Sequence, residues 1–353
     1  MRRFHFALLS LVLAVAAQPL VAATYYVGSC KTGAYGTISA AVAAVPAGST
    51  IDVCPGTYPE QVVISKALTL QGIISDNSSQ AVIAMPSGGL VTTSSILYVS
   101  TPVAPQVWVT AGPVNITNIT VDGTAGPTNC PTYYLIGVFY SGGSSGTMNA
   151  IQTRNQNCAP NYGVGISVEN GAGATESITI ENSNVNNNSN SGINAYSDQT
   201  PSTLTASIKG NYVVGELGGI GLSCNGSVSN NTVMVSGEFY GFSIGVGLNE
   251  GGVVSGNTIN GAIYGVYVDG AGSVKSNKIV NSGSYGIFLL VPGATVETNI
   301  ITQAPVGIEF QCNTGTVSGN TINGATTGLD KVPAGFTGVN KFYNVATTTN
   351  GCS

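Results

Sequence analysis

Histidine is nearly missing from this chain of 353 residues, in which His5 is the single one. His5 lies in an apolar N-terminal segment that we expect to be removed, so the mature chain should contain no histidine. This excludes Ser-His-Asp triads, Cys-His nucleophiles and histidine-bound zinc or copper. Charged residues are also scarce, at 7% of the chain. Catalysis would have to use carboxylates, lysines, tyrosines or Arg154, the one arginine beyond that segment.

Residues 1–23 have the pattern of a secretory signal peptide. The segment begins with MRR, continues with the apolar run FHFALLSLVLAVAA and ends in the small residues Val21, Ala22 and Ala23. The apolar run is shorter than the roughly 20 residues of a transmembrane helix, and no second such run follows. We therefore expect a secreted or periplasmic protein that does not span the membrane, with one domain over residues 24–353. An uncleaved N-terminal anchor is the alternative.

The expected mature chain is acidic. Without Arg2 and Arg3 it has eight basic residues against fifteen acidic ones, for a net charge of −7. This balance argues against a nucleic-acid partner, because such binding needs clustered lysine and arginine. Gly, Asn, Ser and Thr supply most of the polarity, and amide and hydroxyl groups are suitable partners for sugar hydroxyls. No cofactor fingerprint occurs, so no cofactor is expected, and bound calcium is left open.

All seven cysteines lie beyond the leader, and in an oxidising compartment they should pair. The predicted bridges are Cys30 with Cys54, Cys130 with Cys158, and Cys312 with Cys352. Cys224 is then expected to be a buried free thiol. A thiolate metal site is disfavoured, because no C-x-x-C spacing occurs.

The stretch from Asn211 to Val332 repeats one pattern six times. Turn asparagines stand at positions 211, 231, 257, 277, 299 and 320, in steps of 20, 26, 20, 22 and 21 residues. A repeat of this length indicates a solenoid, and its short segments with period two indicate strands. A parallel β-helix fits better than a leucine-rich repeat, which needs several leucines in each unit. The asparagines are predicted to form a structural ladder in the turns.

The ends of such a solenoid need covers. TISAAVAAVPAG, residues 37–48, predicts a capping helix that begins at Thr-Ile-Ser and stops at Pro-Ala-Gly. The C-terminal stretch AGFTGVNKFYNVATTTNGCS departs from the repeat and is expected to cap the other end.

The opening segment GTISAAVAAVPAGSTIDVCPGTYPEQVVISKALTLQG, followed by the Asn-spaced repeats, resembles the right-handed parallel β-helix proteins of the pectate-lyase-like superfamily. The resemblance covers nearly the whole mature chain. It implies an all-β, right-handed solenoid, in agreement with the usual hand of parallel connections. It does not imply one activity, since that superfamily includes lyases, hydrolases, esterases, epimerases and phage tail spikes.

The motifs of individual enzyme groups are largely missing. GTYPEQVVI is similar to the opening of pectin methylesterases, but their QAVA-, QDT- and DFIFG-type segments do not occur. The NTD, DD, GHG and RIK motifs of polygalacturonases do not occur either. The lyases of this fold typically use a basic residue and a calcium-binding carboxylate cluster, whereas the surroundings of Arg154 contain no acidic cluster.

Aligning the repeats on their Gly-apolar pairs predicts which side chains point outward. The inward column is predicted to contain Ile220, Phe242, Val266, Ile287, Ile308 and Leu329. The outward column is predicted to contain Gly221, Ser243, Tyr267, Phe288, Glu309 and Asp330. A second outward column is predicted to contain Ser223, Gly245, Asp269, Leu290 and Gln311.

Tyr267 and Phe288 should form an exposed aromatic pair, which is a suitable platform for sugar rings. Gln311 and Tyr196 are further candidate substrate contacts. The alternative interpretation is that stacked aromatic rings only stabilise the sheet.

Glu309 and Asp330 should lie one strand apart, at about 4.8 Å. When two carboxylates are adjacent, the charge of one raises the pKa of the other, so that the pair can act as an acid and a base. Asp269 is a candidate third catalytic residue. A solvated surface or a pair of calcium ligands is the alternative.

The leading hypothesis is an exported β-helix that contacts an extracellular polysaccharide through an outward strand face. The alternatives are a polysaccharide lyase or glycoside hydrolase, using those carboxylates or Arg154 with a lysine, and a structural or adhesive protein without catalysis.

Overall fold

A computed structural model of the protein describes residues 23–74, 80–130, 132–171, 175–237 and 242–352. The predicted signal peptide lies outside the described residues, apart from its last position. The described chain forms one helix, Ile38–Ala44, and three parallel sheets of 12 strands each. Each coil contributes one strand to each sheet in turn, so the predicted right-handed parallel β-helix is confirmed.

The strands of sheet I are Thr24–Val27, Thr50–Val53, Leu68–Gly72, Val114–Thr117, Gly146–Asn149, Glu176–Glu181, Leu204–Lys209, Asn225–Ser229, Val253–Ser255, Ser273–Lys275, Thr295–Glu297 and Thr316–Ser318. The strands of sheet II are Gly56–Pro59, Ala81–Ala84, Ile119–Asp122, Gln152–Arg154, Asn184–Asn188, Tyr212–Gly215, Thr232–Val235, Thr258–Asn260, Lys278–Val280, Ile300–Thr302, Thr321–Asn323 and Lys341–Tyr343. The strands of sheet III are Val62–Ile64, Val103–Val109, Tyr134–Tyr140, Gly163–Asn170, Ser191–Ser197, Gly218–Ser223, Ile244–Leu248, Tyr264–Val268, Tyr285–Leu289, Val306–Glu309, Thr327–Val332 and Thr347–Gly351.

The core is a column of branched side chains that runs through the middle of the coils. Val266, Ile287 and Ile308 stack in register in sheet III and are fully buried. A glycine precedes each of them and also faces inward. A Cβ on Gly265 would lie 2.4 Å from Cγ2 of Ile279 in sheet II. These glycines therefore leave the space into which the branched residues of sheet II pack.

The predicted asparagine ladder is confirmed. From Asn231 onward, each turn asparagine accepts hydrogen bonds from the asparagine of the preceding coil, while Asn211 accepts from the N–H of Ser183 at 2.9 Å. The side-chain oxygen of Asn257 accepts from the backbone N–H of Asn231 at 2.9 Å and from its side-chain amide at 3.0 Å. The side-chain amide of Asn257 donates to the carbonyl of Val228 and to Asn277, both at 2.9 Å. The ladder thus satisfies buried polar groups in the coil turns from Asn211 to Asn320.

The N-terminal helix lies where the sequence predicts it and is shorter, because it ends before Pro46. Thr37 caps it by accepting from the N–H of Ala40 at 3.1 Å. The carboxylate of Glu60 accepts from the N–H groups of Ile38 and Ser39, both at 2.8 Å. Glu60, in the first coil, therefore supplies acceptors for two N–H groups of the first helical turn that have no partner within the helix.

The expectation that the C-terminal stretch breaks the repeat is wrong. Asn340 continues the ladder by accepting from the N–H of Asn320 at 3.0 Å. Lys341–Tyr343 and Thr347–Gly351 add one more strand to sheets II and III. The step from Asn320 to Asn340 is again 20 residues, but residues 333–339 form no strand of sheet I, so this coil lacks one of the repeated segments.

All three predicted disulfides are present, with Cα–Cα distances of 5.6 to 5.7 Å. Cys224 is the free and buried thiol, as expected. Burial raises its pKa to about 12, and the charge of Glu250 acts in the same direction. A thiol in this state is a packing residue and a poor nucleophile at neutral pH.

Candidate functional site

The outer face of sheet III has an outward column that was predicted correctly except at one coil. Gly221, Gly247, Tyr267, Phe288, Glu309 and Asp330 are neighbours in register. Gly247 therefore takes the place predicted for Ser243, and Val246 takes the inward place predicted for Phe242. In the second column Asn249, not Gly245, lies beside Ser223 and donates to its hydroxyl at 2.7 Å.

The cause of this error is the 26-residue step between Asn231 and Asn257. The additional residues lie before the strand Ile244–Leu248, so the true Gly-apolar pair of this coil comes four positions later than the predicted one. Phe242 is consequently not a core residue. It is 46% exposed and packs beside Tyr264, with ring centroids 5.1 Å apart.

Four rings on two neighbouring strands form an aromatic platform, which consists of Tyr264, Tyr267, Tyr285 and Phe288. Tyr267 stacks on Phe288 with centroids 5.4 Å apart and planes 9° apart. Tyr264 stacks on Tyr285 at 5.3 Å and 20°. Tyr264 also meets Phe288 edge to face at 5.3 Å.

Sequence reasoning found only half of this platform. Strict alternation would place Tyr264 and Tyr267 on opposite faces, as it would Tyr285 and Phe288. The glycine and the branched residue between them both face inward, so both aromatic residues of the YGVY and YGIF segments face outward. The repeated aromatic residue directly before the glycine was the available signal.

Phe288 was expected to be exposed and is instead 9% exposed. The surrounding tyrosine rings cover it, so Phe288 supports the platform from below. Tyr267 remains partly exposed, and burial followed by the charge of Asp269 raises its pKa. Its hydroxyl is therefore a neutral donor or acceptor at physiological pH.

A groove of about 320 Å³ adjoins the platform on the N-terminal side. Its floor is low because Gly218, Gly221 and Gly247 have no side chains. Asn194 and Tyr196 belong to its lining, so the structure places the predicted contact Tyr196 here. The full lining is Leu97, Tyr98, Asn190, Ser191, Asn194, Ala195, Tyr196, Leu217, Gly218, Ile220, Gly221, Ser223, Phe242, Ile244, Gly247 and Asn249.

The far wall of the groove comes from a distant part of the chain. Tyr98 stacks on Tyr134 with centroids 4.0 Å apart, and its hydroxyl accepts from the amide of Asn194 at 2.9 Å. The segment that carries Tyr98 is held by the buried carboxylate of Glu169. This carboxylate accepts from the hydroxyl of Ser95 at 2.7 Å and from the N–H of Ile96 at 2.8 Å. Burial raises the pKa of Glu169, and these hydrogen bonds oppose the rise.

Beyond the platform, Glu309 and Asp330 lie on adjacent strands, as predicted. Glu309 is 0% exposed, and its Oε1 accepts from Lys331 at 2.9 Å and from Gln311 at 2.7 Å. Burial raises the pKa of Glu309, with the contact to Asp330 in the same direction and Lys331 opposed. Burial acts to raise the pKa of Asp330, yet the hydrogen bond from Asn350 and the charge of Lys331 lower it.

This arrangement limits what the acidic pair can do. Glu309 is fully buried, and its Oε1 already accepts from Lys331 and Gln311, so a ligand would have to displace these groups to reach it. Gln311 is engaged by Glu309, and Asp269 lies two strands away. The catalytic roles of Glu309, Asp330 and Asp269 therefore stay predictions.

Arg154 does not belong to this face. It lies in sheet II, where its Nε donates to Asp122 at 2.8 Å. Although burial acts to raise the pKa of Asp122, hydrogen bonds from Thr124, Asn155 and Arg154 lower it to about 2. A larger depression of about 740 Å³ lies nearby, but the side-chain amide of Asn155 there is already occupied by Asp122 and Thr124.

Among the described residues, no three Asp, Glu, His or Cys side chains come together to hold a metal ion. Bound calcium therefore stays an open prediction without an assigned site. In the same part of the chain, no helix is long and apolar enough to cross a bilayer.

Comparisons with known proteins show likeness in fold. No family model matches the chain, and no curated protein matches it significantly. The lacto-N-biosidase of group GH136 from Eubacterium ramulus is 10% identical with a TM-score of 0.54, over 94% of this chain and 68% of that one. The Dettilon tailspike protein is 15% identical with a TM-score of 0.50, over 85% and 62%.

The A-module of the mannuronan C-5 epimerase AlgE4 from Azotobacter vinelandii is 14% identical with a TM-score of 0.49, over 89% of this chain and 92% of that one. At such identities a likeness shows the fold alone. The sheet topology, together with the likenesses to the lacto-N-biosidase and the tailspike, shows that the chain has the right-handed parallel β-helix fold.

Proposed function

We propose that this protein is exported and contacts an extracellular polysaccharide through the outer face of sheet III. The observation that carries the proposal is the continuity of the groove and the aromatic platform. They occupy five consecutive strands of sheet III, from Ser191–Ser197 to Tyr285–Leu289. At about 4.8 Å for each strand, this track is about 19 Å long, which suits a polymer better than a small metabolite.

The chemistry of the track suits sugars. The rings of Tyr264 and Tyr267 offer faces on which the C–H surface of a sugar can be buried. Asn194, Ser223 and Asn249 line the groove, and their side-chain oxygens can accept from sugar hydroxyls. The amides of Asn194 and Asn249 already donate to neighbouring side chains, which holds these oxygens in place. Such a site combines apolar surface with a few polar groups that set orientation, as ligand sites usually do.

Two further observations support the proposal. The three disulfides agree with export to an oxidising compartment, and so does the predicted signal peptide. The lacto-N-biosidase of the same fold is named for a saccharide substrate.

Retention on polysaccharides tests the proposal. The protein lacking residues 1–23 is run in affinity gels that contain single glycans of a broad panel. Tyr267→Ala and Tyr196→Ala should each reduce affinity for the retained glycan about tenfold, or about 1.4 kcal/mol. Tyr212→Ala is the matched control, because Tyr212 is 43% exposed on sheet II.

Two results would contradict polysaccharide contact through this face. One is an equal loss of affinity in the Tyr212→Ala control. The other is a complete lack of retention on the whole panel, which would leave a structural or adhesive role.

Hydrolysis of the same glycan is a second candidate function. It is favoured by the position of Glu309 and Asp330 on adjacent strands of sheet III, where their pKa values shift in opposite directions. Reducing ends should then appear with time. Glu309→Gln and Asp330→Asn should each abolish turnover while the circular dichroism spectrum is unchanged. Turnover that survives both changes would eliminate this pair as the catalytic residues.

A further inference from the structure

The groove and platform are almost free of positive charge. Among the described strands of sheet III, Lys331 is the one basic residue. Its ammonium group is 2.9 Å from the carboxylate of Glu309 and is therefore already paired. None of the sixteen residues that line the groove carries a charge.

Negative charge, by contrast, accompanies the platform. Asp269 directly follows the strand that carries Tyr264 and Tyr267, and Asp330 is the neighbour of Glu309 on the next strand. Asp269 is close enough to Tyr267 for its charge to affect that hydroxyl. Asp330 stays ionised at neutral pH, since its pKa is lowered. A ligand on the platform therefore lies near the carboxylate of Asp269 and meets no unpaired cation.

We infer that the polysaccharide bound by this face is an uncharged glycan and not a polyuronate. This inference rests on the proposed function and names the substrate class. A polyuronate would bring one carboxylate with each sugar, and those carboxylates would find no unpaired lysine or arginine on the track. Like charges placed together at an interface weaken binding in the absence of such partners.

The same reasoning bears on the reaction class. Elimination on a polysaccharide requires a proton that is acidified by the neighbouring carboxyl group of a uronate. A neutral sugar has no such group, so this face does not serve a lyase. Arg154, the basic residue considered for that chemistry, is on sheet II and paired with Asp122.

The inference that the glycan is uncharged can be tested with neutral, acidic and basic polysaccharides. The protein lacking residues 1–23 is run in affinity gels with neutral glycans (amylose, galactomannan, a β-glucan), with polygalacturonate and alginate, and with chitosan. We expect retention by a neutral glycan, reduced at least tenfold by Tyr267→Ala. Raising the salt concentration from 0.02 to 0.5 M should change this retention less than twofold, because no ion pair contributes.

Asp269→Lys extends the test. Asp269→Lys should create weak, salt-sensitive retention by polygalacturonate, because it places an unpaired cation beside the platform.

The outcomes separate this inference from the proposed function. If only a polyuronate or only chitosan retains the protein, and Tyr267→Ala weakens that retention, the inference of an uncharged glycan is wrong. The proposed contact with a polysaccharide would then still hold. Absence of any retention that depends on Tyr267 would overturn both.

Discussion

At the scale of single residues, Glu176 is buried at the start of a sheet I strand. It is 4% exposed, and within the described residues neither of its carboxylate oxygens has a hydrogen-bond partner. Burial raises its pKa to about 7. The folded protein therefore holds the proton of Glu176 more tightly than the unfolded chain does, where a glutamate has a pKa of about 4.3.

We expect this residue to make the protein less stable as pH rises. The contribution of Glu176 is fully favourable below about pH 4 and is lost progressively up to about pH 7. Glu176→Gln removes the titration, so the variant should exceed the wild type by about 3 kcal/mol at pH 8 and match it at pH 4. Denaturant unfolding between pH 4 and 8 measures the difference.

Glu169→Gln is not a suitable control, because the carboxylate of Glu169 accepts two hydrogen bonds from the groove wall. Glu216→Gln makes the same side-chain change at an exposed position on the rim of the depression beside sheet II, and it serves as the control. Parallel curves for Glu176→Gln and the wild type would show that Glu176 does not titrate in this range.

At the scale of elements, the asparagine ladder and the inward glycines together define each coil. The asparagines satisfy the turn backbone, while glycines such as Gly265 leave space for the branched side chains of sheet II. Each repeat contains one turn asparagine and one inward glycine. Because neighbouring coils stack on one another, a short strand with one branched residue is enough to build the core in each coil.

Removal of one ladder member should be costly. Asn257→Ala leaves the buried N–H and side-chain amide of Asn231 without their acceptor, and the carbonyl of Val228 without its donor. At about 1–3 kcal/mol for each unsatisfied buried group, we expect a loss of at least 3 kcal/mol in the free energy of unfolding.

Asn260→Ala provides the matched control. Asn260 accepts from Asn281 at 3.0 Å on the exposed side of sheet II. Its removal should cost no more than about 0.5 kcal/mol. Denaturant unfolding measures both losses. Equal losses for the two variants would mean that burial does not determine how much these asparagine hydrogen bonds contribute to the free energy of unfolding.

At the scale of the whole molecule, the two ends of the solenoid differ. The first coil is covered by the helix Ile38–Ala44, whereas every residue of the last strand, Thr347–Gly351, is exposed. The disulfide between Cys312 and Cys352 joins the end of this strand to an earlier coil. Stability in a solenoid is a sum over neighbouring units, so an end coil can open by itself.

We expect the disulfide to prevent local opening of this end. In the double variant Cys312→Ala/Cys352→Ala, backbone amides of residues 341–351 should exchange with deuterium about tenfold faster or more. Those of Tyr264–Val268 should keep the wild-type rate, because they lie several coils away.

The variant Cys130→Ala/Cys158→Ala tests whether the effect is local. It removes a bridge in the middle of the chain and should leave exchange in residues 341–351 unchanged. A uniform increase throughout the chain in either double variant would show that the solenoid unfolds as one unit.

Several features could be predicted from the amino-acid sequence alone. The repeat spacing, the turn asparagines and the N-terminal helix follow from local patterns that recur or carry their own start and stop signals. The bridges Cys30–Cys54 and Cys130–Cys158 close segments near in sequence and were predicted correctly for that reason. The outward column was correct wherever the repeat length was regular, which placed Glu309 beside Asp330.

The tertiary structure alone decided the shape of the candidate site. Strict alternation could not place Tyr264 and Tyr285 on the outer face, because two inward residues follow each of them. The irregular coil displaced Phe242 from the core to the surface. The groove wall depends on contacts between Glu169 and residues more than 70 positions earlier. Local sequence determined the coils of this protein, and contacts between distant segments decided which surface they present, because side-chain packing across coils is not encoded within one repeat.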